Sequence, residues 1–118
     1  MMNEPIKIYK NYEIVVVPFP FTDREKSKNR PALILSSELF NAKNGKSIMA
    51  MITSNTGKEL WPNDMAIKDL KPTGLIESSL IRFKIFTIDH VLIKTRIGFL
   101  HNEDKKAVQV KLKEILNV

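Results

Sequence analysis

The apolar residues of this chain change their period once, near residue 100, and that change sets the fold class. Up to Leu100 they recur in short β-branched or alternating runs broken by proline, glycine and asparagine. Beyond it, Val108, Leu112, Ile115 and Leu116 recur at i, i+4, i+7 and i+8. The first pattern belongs to strands and the second to one apolar stripe along a helix. Strands followed by a single terminal helix predict an α+β domain, a small curled β-barrel with the helix packed against it.

Within the strand region, Tyr12 to Val17 sets Tyr12, Ile14 and Val16 on one face and Glu13, Val15 and Val17 on the other, so both faces are expected to be largely covered. Pro18 and Pro20 should end this strand. Residues 22–29 are almost wholly polar and read as an exposed loop, after which a second strand is expected over Pro31 to Ser36. A turn over Asn41 to Gly45, with Asn44-Gly45 supplying a left-handed position, leads to a strand over Ser47 to Thr53. Loops at Trp61-Pro62-Asn63 and Lys71-Pro72-Thr73-Gly74 bracket a short strand over Met65 to Ile67, and Leu80 to Ile88 and Val91 to Leu100 complete the β part. Asn102 reads as the N-cap of the helix, although Lys105 stands where a full capping box has Glu. A length of 118 residues suits one domain, with residues 1–10 read as a flexible leader.

Nineteen Lys and Arg against thirteen acidic residues give a net charge of +6 and a pI near 9.6, a balance that favours a polyanionic partner. The absence of cysteine excludes a disulfide framework, a thiolate metal site and a thiol nucleophile together, and fits a cytoplasmic protein. The apolar stretch from Ile14 to Phe21 is too short for a membrane span and has no signal-peptide cleavage pattern. His90 and His101 are eleven apart with no acidic pair set around them, so no metal site is read, and no glycine loop that would cradle phosphate is present. The four glycines, Gly45, Gly57, Gly74 and Gly98, each stand alone and read as turn residues. No cofactor is called for.

What remains is a basic, hydroxyl-rich set: Lys26, Lys28 and Arg30 at one loop–strand junction, Thr53-Ser54-Asn55-Thr56 at the end of another strand, and Arg82 with Lys84 on a third. Guanidinium and hydroxyl groups at strand ends suit a phosphodiester, the first gripping phosphate in two-pronged fashion and the second adding a hydrogen bond.

The run Tyr12-Glu13-Ile14-Val15-Val16-Val17-Pro18-Phe19-Pro20-Phe21-Thr22-Asp23, a polar loop, and then Asn29-Arg30-Pro31-Ala32-Leu33-Ile34-Leu35-Ser36 resemble the N-terminal half of MazF/PemK toxins. The likeness continues through Met51-Ile52-Thr53-Ser54, Trp61-Pro62-Asn63-Asp64, Gly74-Leu75, Ser79-Leu80-Ile81-Arg82, Phe86-Thr87-Ile88-Asp89 and Ile97-Gly98, covering about residues 11 to 117. It implies a CcdB/MazF-like SH3-type barrel, a homodimer, an antitoxin partner, and metal-independent cleavage of single-stranded RNA. The family pattern further implies Arg30 and Thr53 as the catalytic pair about the scissile phosphate. Phe83 and Lys84 stand where some relatives have an acidic residue after the arginine, which removes an acid/base role for that stretch and leaves Arg82 and Lys84 as phosphate contacts. The general base is left unassigned, because an arginine stays protonated.

Each of these residues also has a plainer reading. Arg30 is a strand-entry residue that Asp23 or Glu25 would pair, Thr53 an ordinary strand threonine, and Lys26 and Lys28 a solvated loop. Phe19 either packs in the core or stacks on an unpaired base, and Trp61 packs under its loop. His90 and His101 read as surface residues. RNA contact is thus expected at Phe19, Lys26, Lys28, Ser54, Asn55, Arg82 and Lys84. A gyrase-poisoning toxin of the CcdB kind is the rival from another class. Its C-terminal Trp-Gly-Ile is missing from Ile115-Leu116-Asn117-Val118. A catalytically silent relative that binds RNA or an antitoxin is the third reading.

Overall fold

In a computed structural model, which describes residues 8–19, 27–55, 57 and 59–118, the chain runs β1 (Glu13–Phe19), β2 (Lys28–Ile34), α1 (Glu38–Asn44), β3 (Lys46–Ser54), β4 (Met65–Ala66), β5 (Ser79–Asp89), β6 (Thr95–Phe99) and α2 (Asn102–Leu116). Single helical turns at Lys71–Thr73 and His90–Leu92 precede β5 and β6. The strands form one curled antiparallel sheet in the order β4-β5-β3-β2-β1-β6, with α2 following it, the α+β architecture expected from the change of period.

Both faces of the sheet are covered, which is why β1 reads as nearly continuous apolar sequence. Ile14, Leu33, Ala50, Ile52 and Ile81 meet Val108 of α2 on one side, while Val15, Val17, Ala32, Ile34, Met49 and Ile88 gather with Tyr9 on the other. Of the residues read as a leader, 1–7 lie outside the described ones, but Tyr9 is buried and packs at 4.5 Å from the His90 ring.

Several local expectations are corrected. β1 runs through Pro18 to Phe19, because β6 pairs with it only as far as Val16 and a proline beyond that point sits where one edge is open. The stretch read as a turn over Asn41 to Gly45 is the end of helix α1. Ser37 Oγ accepts from the Phe40 N–H at 3.1 Å, and Gly45 closes the helix at φ 63°. Seven residues are too few to show a period, and the helix is held by buried Asn41, whose Nδ2 donates to the carbonyls of Tyr9 and Ser36. At α2 the cap is His101 rather than Asn102, with Nδ1 accepting from the Glu103 N–H. Asp104 is buried and accepts from the backbone N–H groups of Lys68 and Asp69, tying the helix to the loop after β4. Of the predicted stripe, Val108 and Leu112 pack into the core, whereas Leu116 remains exposed.

Gly98 is not a turn residue either. It lies in β6, where a Cβ would come within 2.3 Å of the Pro72 carbonyl oxygen, and Gly74, at φ 76°, would set one 2.0 Å from the Ile97 carbonyl oxygen. The two glycines let the 72–74 backbone lie directly on β6. Buried Thr73 locks that turn, its Oγ1 donating to the Leu70 carbonyl at 2.6 Å and accepting from the Leu75 N–H at 3.0 Å.

Candidate nucleic-acid interface

Where β2 and β3 part, Ala32 faces Met51, and two residues further along the same register Arg30 and Thr53 stand on adjoining strands. Both line an open cavity of about 370 Å³, with Asn29, Ser54, Glu77 and Ser79 on its polar wall and Val16, Ile52, Leu75 and Ile97 among its apolar side chains. Pairing with Val17 of β1 fixes the Arg30 backbone, while its guanidinium is exposed. Thr53 and Ser54 are half-buried, and among the described residues nothing hydrogen-bonds the Thr53 hydroxyl. The cavity thus offers a cation and two hydroxyls to an incoming anion, over an apolar base.

A second cluster lies further along β2. Ala50 faces Ile85 and Met51 faces Arg82, so Phe83 and Lys84 bulge out of the β5 register. This brings Lys84 Nζ to 4.9 Å from the centroid of the Phe19 ring, and Phe19 in turn pairs with Lys28 across β1 and β2. Lys28 and Lys84 are exposed. An aromatic ring with one cation over it and a second lysine paired with it on the next strand are groups that suit a base and its phosphates.

The remaining expected contacts are placed differently. Arg82 is committed to the protein: Nη2 meets Asp64 Oδ2 at 2.8 Å, Nε meets Oδ1 at 3.2 Å, Nη2 also donates to the Glu59 carbonyl, and the guanidinium lies 4.4 Å from the Trp61 ring centroid. Burial would push the Asp64 carboxyl upward, but hydrogen bonds from Arg82 and the Trp61 N–H outweigh it and hold the pKa below the ordinary carboxylate range. The hydrogen bonds that Arg82 donates to Asp64 likewise raise the arginine's own pKa. Arg82 therefore fastens the 59–64 loop to β5, and Trp61 packs on it. Asn55 does not line the cavity, its backbone N–H instead holding the Ser78 carbonyl at 2.8 Å. Lys26, with Asp23 and Glu25, lies outside the described residues.

The two histidines lie apart in the fold. His90 is half-buried, with Nε2 2.7 Å from the Ser47 hydroxyl, and burial lowers its pKa. His101 is the cap of α2. Among the described residues no group of three or more His, Asp or Glu could hold a metal ion, and no helix is long and apolar enough to cross a membrane. Sequence reasoning passed over Glu77. It stands two residues before β5 and carries no local motif, so only the closure of the sheet brings it to the cavity.

A family model described as the PemK-like, MazF-like toxin of type II toxin-antitoxin systems matches residues 10–116. A search of curated proteins found no match. Among solved structures, MazF from Deinococcus radiodurans superposes with a TM-score of 0.73 at 17% identity, covering 96% of this chain and 100% of that one. Mycobacterium tuberculosis toxin MazF-mt6 gives 0.71 at 20% identity, covering 90% and 97%. An endoribonuclease in complex with its cognate antitoxin, from a mycobacterial species, gives 0.73 at 12% identity, covering 96% and 97%.

Proposed function

This chain belongs to the PemK-like, MazF-like toxins of type II toxin-antitoxin systems, and from that premise we propose that it is a sequence-specific endoribonuclease that cuts single-stranded RNA, mRNA above all, without a metal. One observation carries the reading. Arg30 and Thr53, twenty-three residues apart in sequence, line one open cavity together with Ser54.

The chemistry follows from those groups. The scissile phosphate enters the cavity, where Arg30 takes one or two non-bridging oxygens and Thr53 Oγ1 donates to another. The ribose 2′-oxygen attacks the adjacent phosphorus, the bond to the 5′-oxygen breaks, and the products are a 2′,3′-cyclic phosphate and a free 5′-hydroxyl. Charge grows on the non-bridging oxygens as the fifth bond forms, so donors already in place lower the barrier more than they strengthen ground-state binding. Lys28, Lys84 and Phe19 hold the neighbouring nucleotides.

A homodimer acting in the cytoplasm is part of this reading, as is control by a cognate antitoxin whose acidic segment covers Arg30. The antitoxin complexes among the structural neighbours support it.

Primer extension on a long transcript exposed to the purified protein in excess EDTA tests it. Discrete cuts whose downstream fragments accept phosphate from a kinase without prior phosphatase are expected. Cleavage abolished by chelator and restored by magnesium, or leaving 5′-phosphate ends, overturns it.

A further inference from the structure

The 2′-hydroxyl must lose a proton in this reaction, and among the described residues the cationic side of the cavity has nothing to receive it. An arginine stays protonated, and the Thr53 and Ser54 hydroxyls are not bases at neutral pH. Neither histidine lines the cavity: His90 is bound to Ser47 and His101 caps α2. Among the described residues the cavity wall holds a single carboxylate, that of Glu77.

The backbone around Glu77 is fixed on three sides. Its own carbonyl accepts from Ser79 Oγ at 2.8 Å, the next carbonyl, of Ser78, accepts from the Asn55 N–H at 2.8 Å, and upstream Gly74 is pressed on the backbone of Ile97. Among the described residues its carboxylate has neither a hydrogen bond nor an ion pair, and it is exposed to solvent.

Topology sets the direction of attack. β3 lies between β2 and β5, and Ser79 and Leu80 face Ser54 and Thr53. A phosphate held at Thr53 therefore has Arg30 on the β2 side and Glu77 on the β5 side. An in-line displacement needs a proton acceptor beside the entering oxygen and an open path for the leaving oxygen across the phosphorus from it, and Glu77 is the acceptor on the β5 flank.

We propose that the Glu77 carboxylate is the general base of this site, an assignment that rests on the ribonuclease reading above. Glu77 takes the 2′-hydroxyl proton as the 2′-oxygen bonds to phosphorus. The bond from phosphorus to the 5′-oxygen breaks, and that oxygen takes a proton from solvent water at the open mouth of the cavity. Glu77 then returns its proton to solvent, so no net water or co-reactant is consumed.

The test uses Glu77→Gln and Glu77→Asp in single-turnover cleavage of an RNA carrying the site mapped for wild type. Loss of a general base costs about a hundred- to ten-thousandfold. Glu77→Gln is expected to fall by that factor and to lose the acid-side limb of its pH–rate profile. Glu77→Asp should recover part of the rate, and affinity for the uncleavable 2′-deoxy RNA should stay within about threefold of wild type. A matched substrate with sulfur in place of the 5′-bridging oxygen needs no protonation of its leaving group, so Glu77→Gln should remain as impaired on it. Glu77→Gln cutting at near wild-type rate, or fully restored by the sulfur substrate, overturns the assignment of Glu77 as base. Failure of wild type itself to leave cyclic phosphate ends overturns the ribonuclease reading instead.

Discussion

Replacing Arg82 by alanine should unfold the protein more readily and leave its affinity for RNA almost unchanged, the reverse of what a phosphate-binding arginine would do. The Arg82 and Asp64 side chains are 13% and 2% exposed and meet at 2.8 Å. Removing one partner of a fully buried pair costs about 3 to 5 kcal/mol, because the other charge is left in the protein unmatched. Here water can follow into the space the guanidinium leaves, so the low end applies. Loss of the cation–π interaction with the Trp61 ring adds about 0.5 to 1 kcal/mol, and a total of about 4 kcal/mol is expected. At roughly 3 to 5 °C per kcal/mol for a domain of this size, Tm should fall by about 15 °C. The double variant Arg82→Ala/Asp64→Ala should cost clearly less than the sum of the single ones, by about 1 kcal/mol or more. Calorimetry gives the stability, and RNA binding across a salt series gives the number of phosphates held. Each phosphate of a single strand that is no longer neutralised lowers the log–log slope by about 0.7, so Lys84→Ala should show that drop and Arg82→Ala should not. An Arg82→Ala protein with unchanged Tm and a slope lower by about 0.7 would refute the reasoning, because the pairing with Asp64 would then give way to RNA.

Other outcomes can be read in the same preparations. Arg30→Ala and Thr53→Ala should each slow single-turnover cleavage about a hundred- to a thousandfold with little change in affinity. Thr53→Ser should keep substantial activity, whereas Arg30→Lys should recover little because an ammonium lacks the planar two-pronged grip. Gly98→Ala should destabilise severely, by about 3 kcal/mol or more in thermal melts, since its Cβ would meet the backbone of Pro72 and Thr73. Burial holds the His90 pKa below the ordinary imidazole value, so the unfolded chain takes up this proton first as pH falls. Its contribution to stability is complete above about pH 6.5 and declines below it until the lower folded-state pKa is passed. His90→Asn should flatten that decline between pH 7 and 5.

Much of the architecture was legible in residue order alone. The single change of period near residue 100, the β-branched run of β1 and the loops at 61–63 and 71–74 depend on local patterns, and they fixed the α+β class and most strands. α1 was hidden because seven residues are shorter than the period that would reveal them. Its buried polar anchor, Asn41, bonds a carbonyl thirty-two residues away.

The candidate site divides along the same line. Sequence alone, read by residue type and family likeness, singled out Arg30 and Thr53, since a guanidinium beside a proline at a strand entry and a hydroxyl at a strand end keep their chemistry wherever the strands go. What each charge faces was decided by tertiary structure. Arg82 and Lys84 look equivalent in the sequence, but the β5 bulge sends Lys84 over Phe19, while Asp64, eighteen residues back, claims Arg82. Gly98 looked like a turn and is a contact surface for another segment's backbone. Glu77 had no signal at all, because its position depends on Ser79, Asn55 and the approach of Gly74 to β6. Periodicity reports which side of an element is apolar, but partners across a curled sheet are set by register, and register here turns on bulges and close glycine contacts that no local pattern encodes.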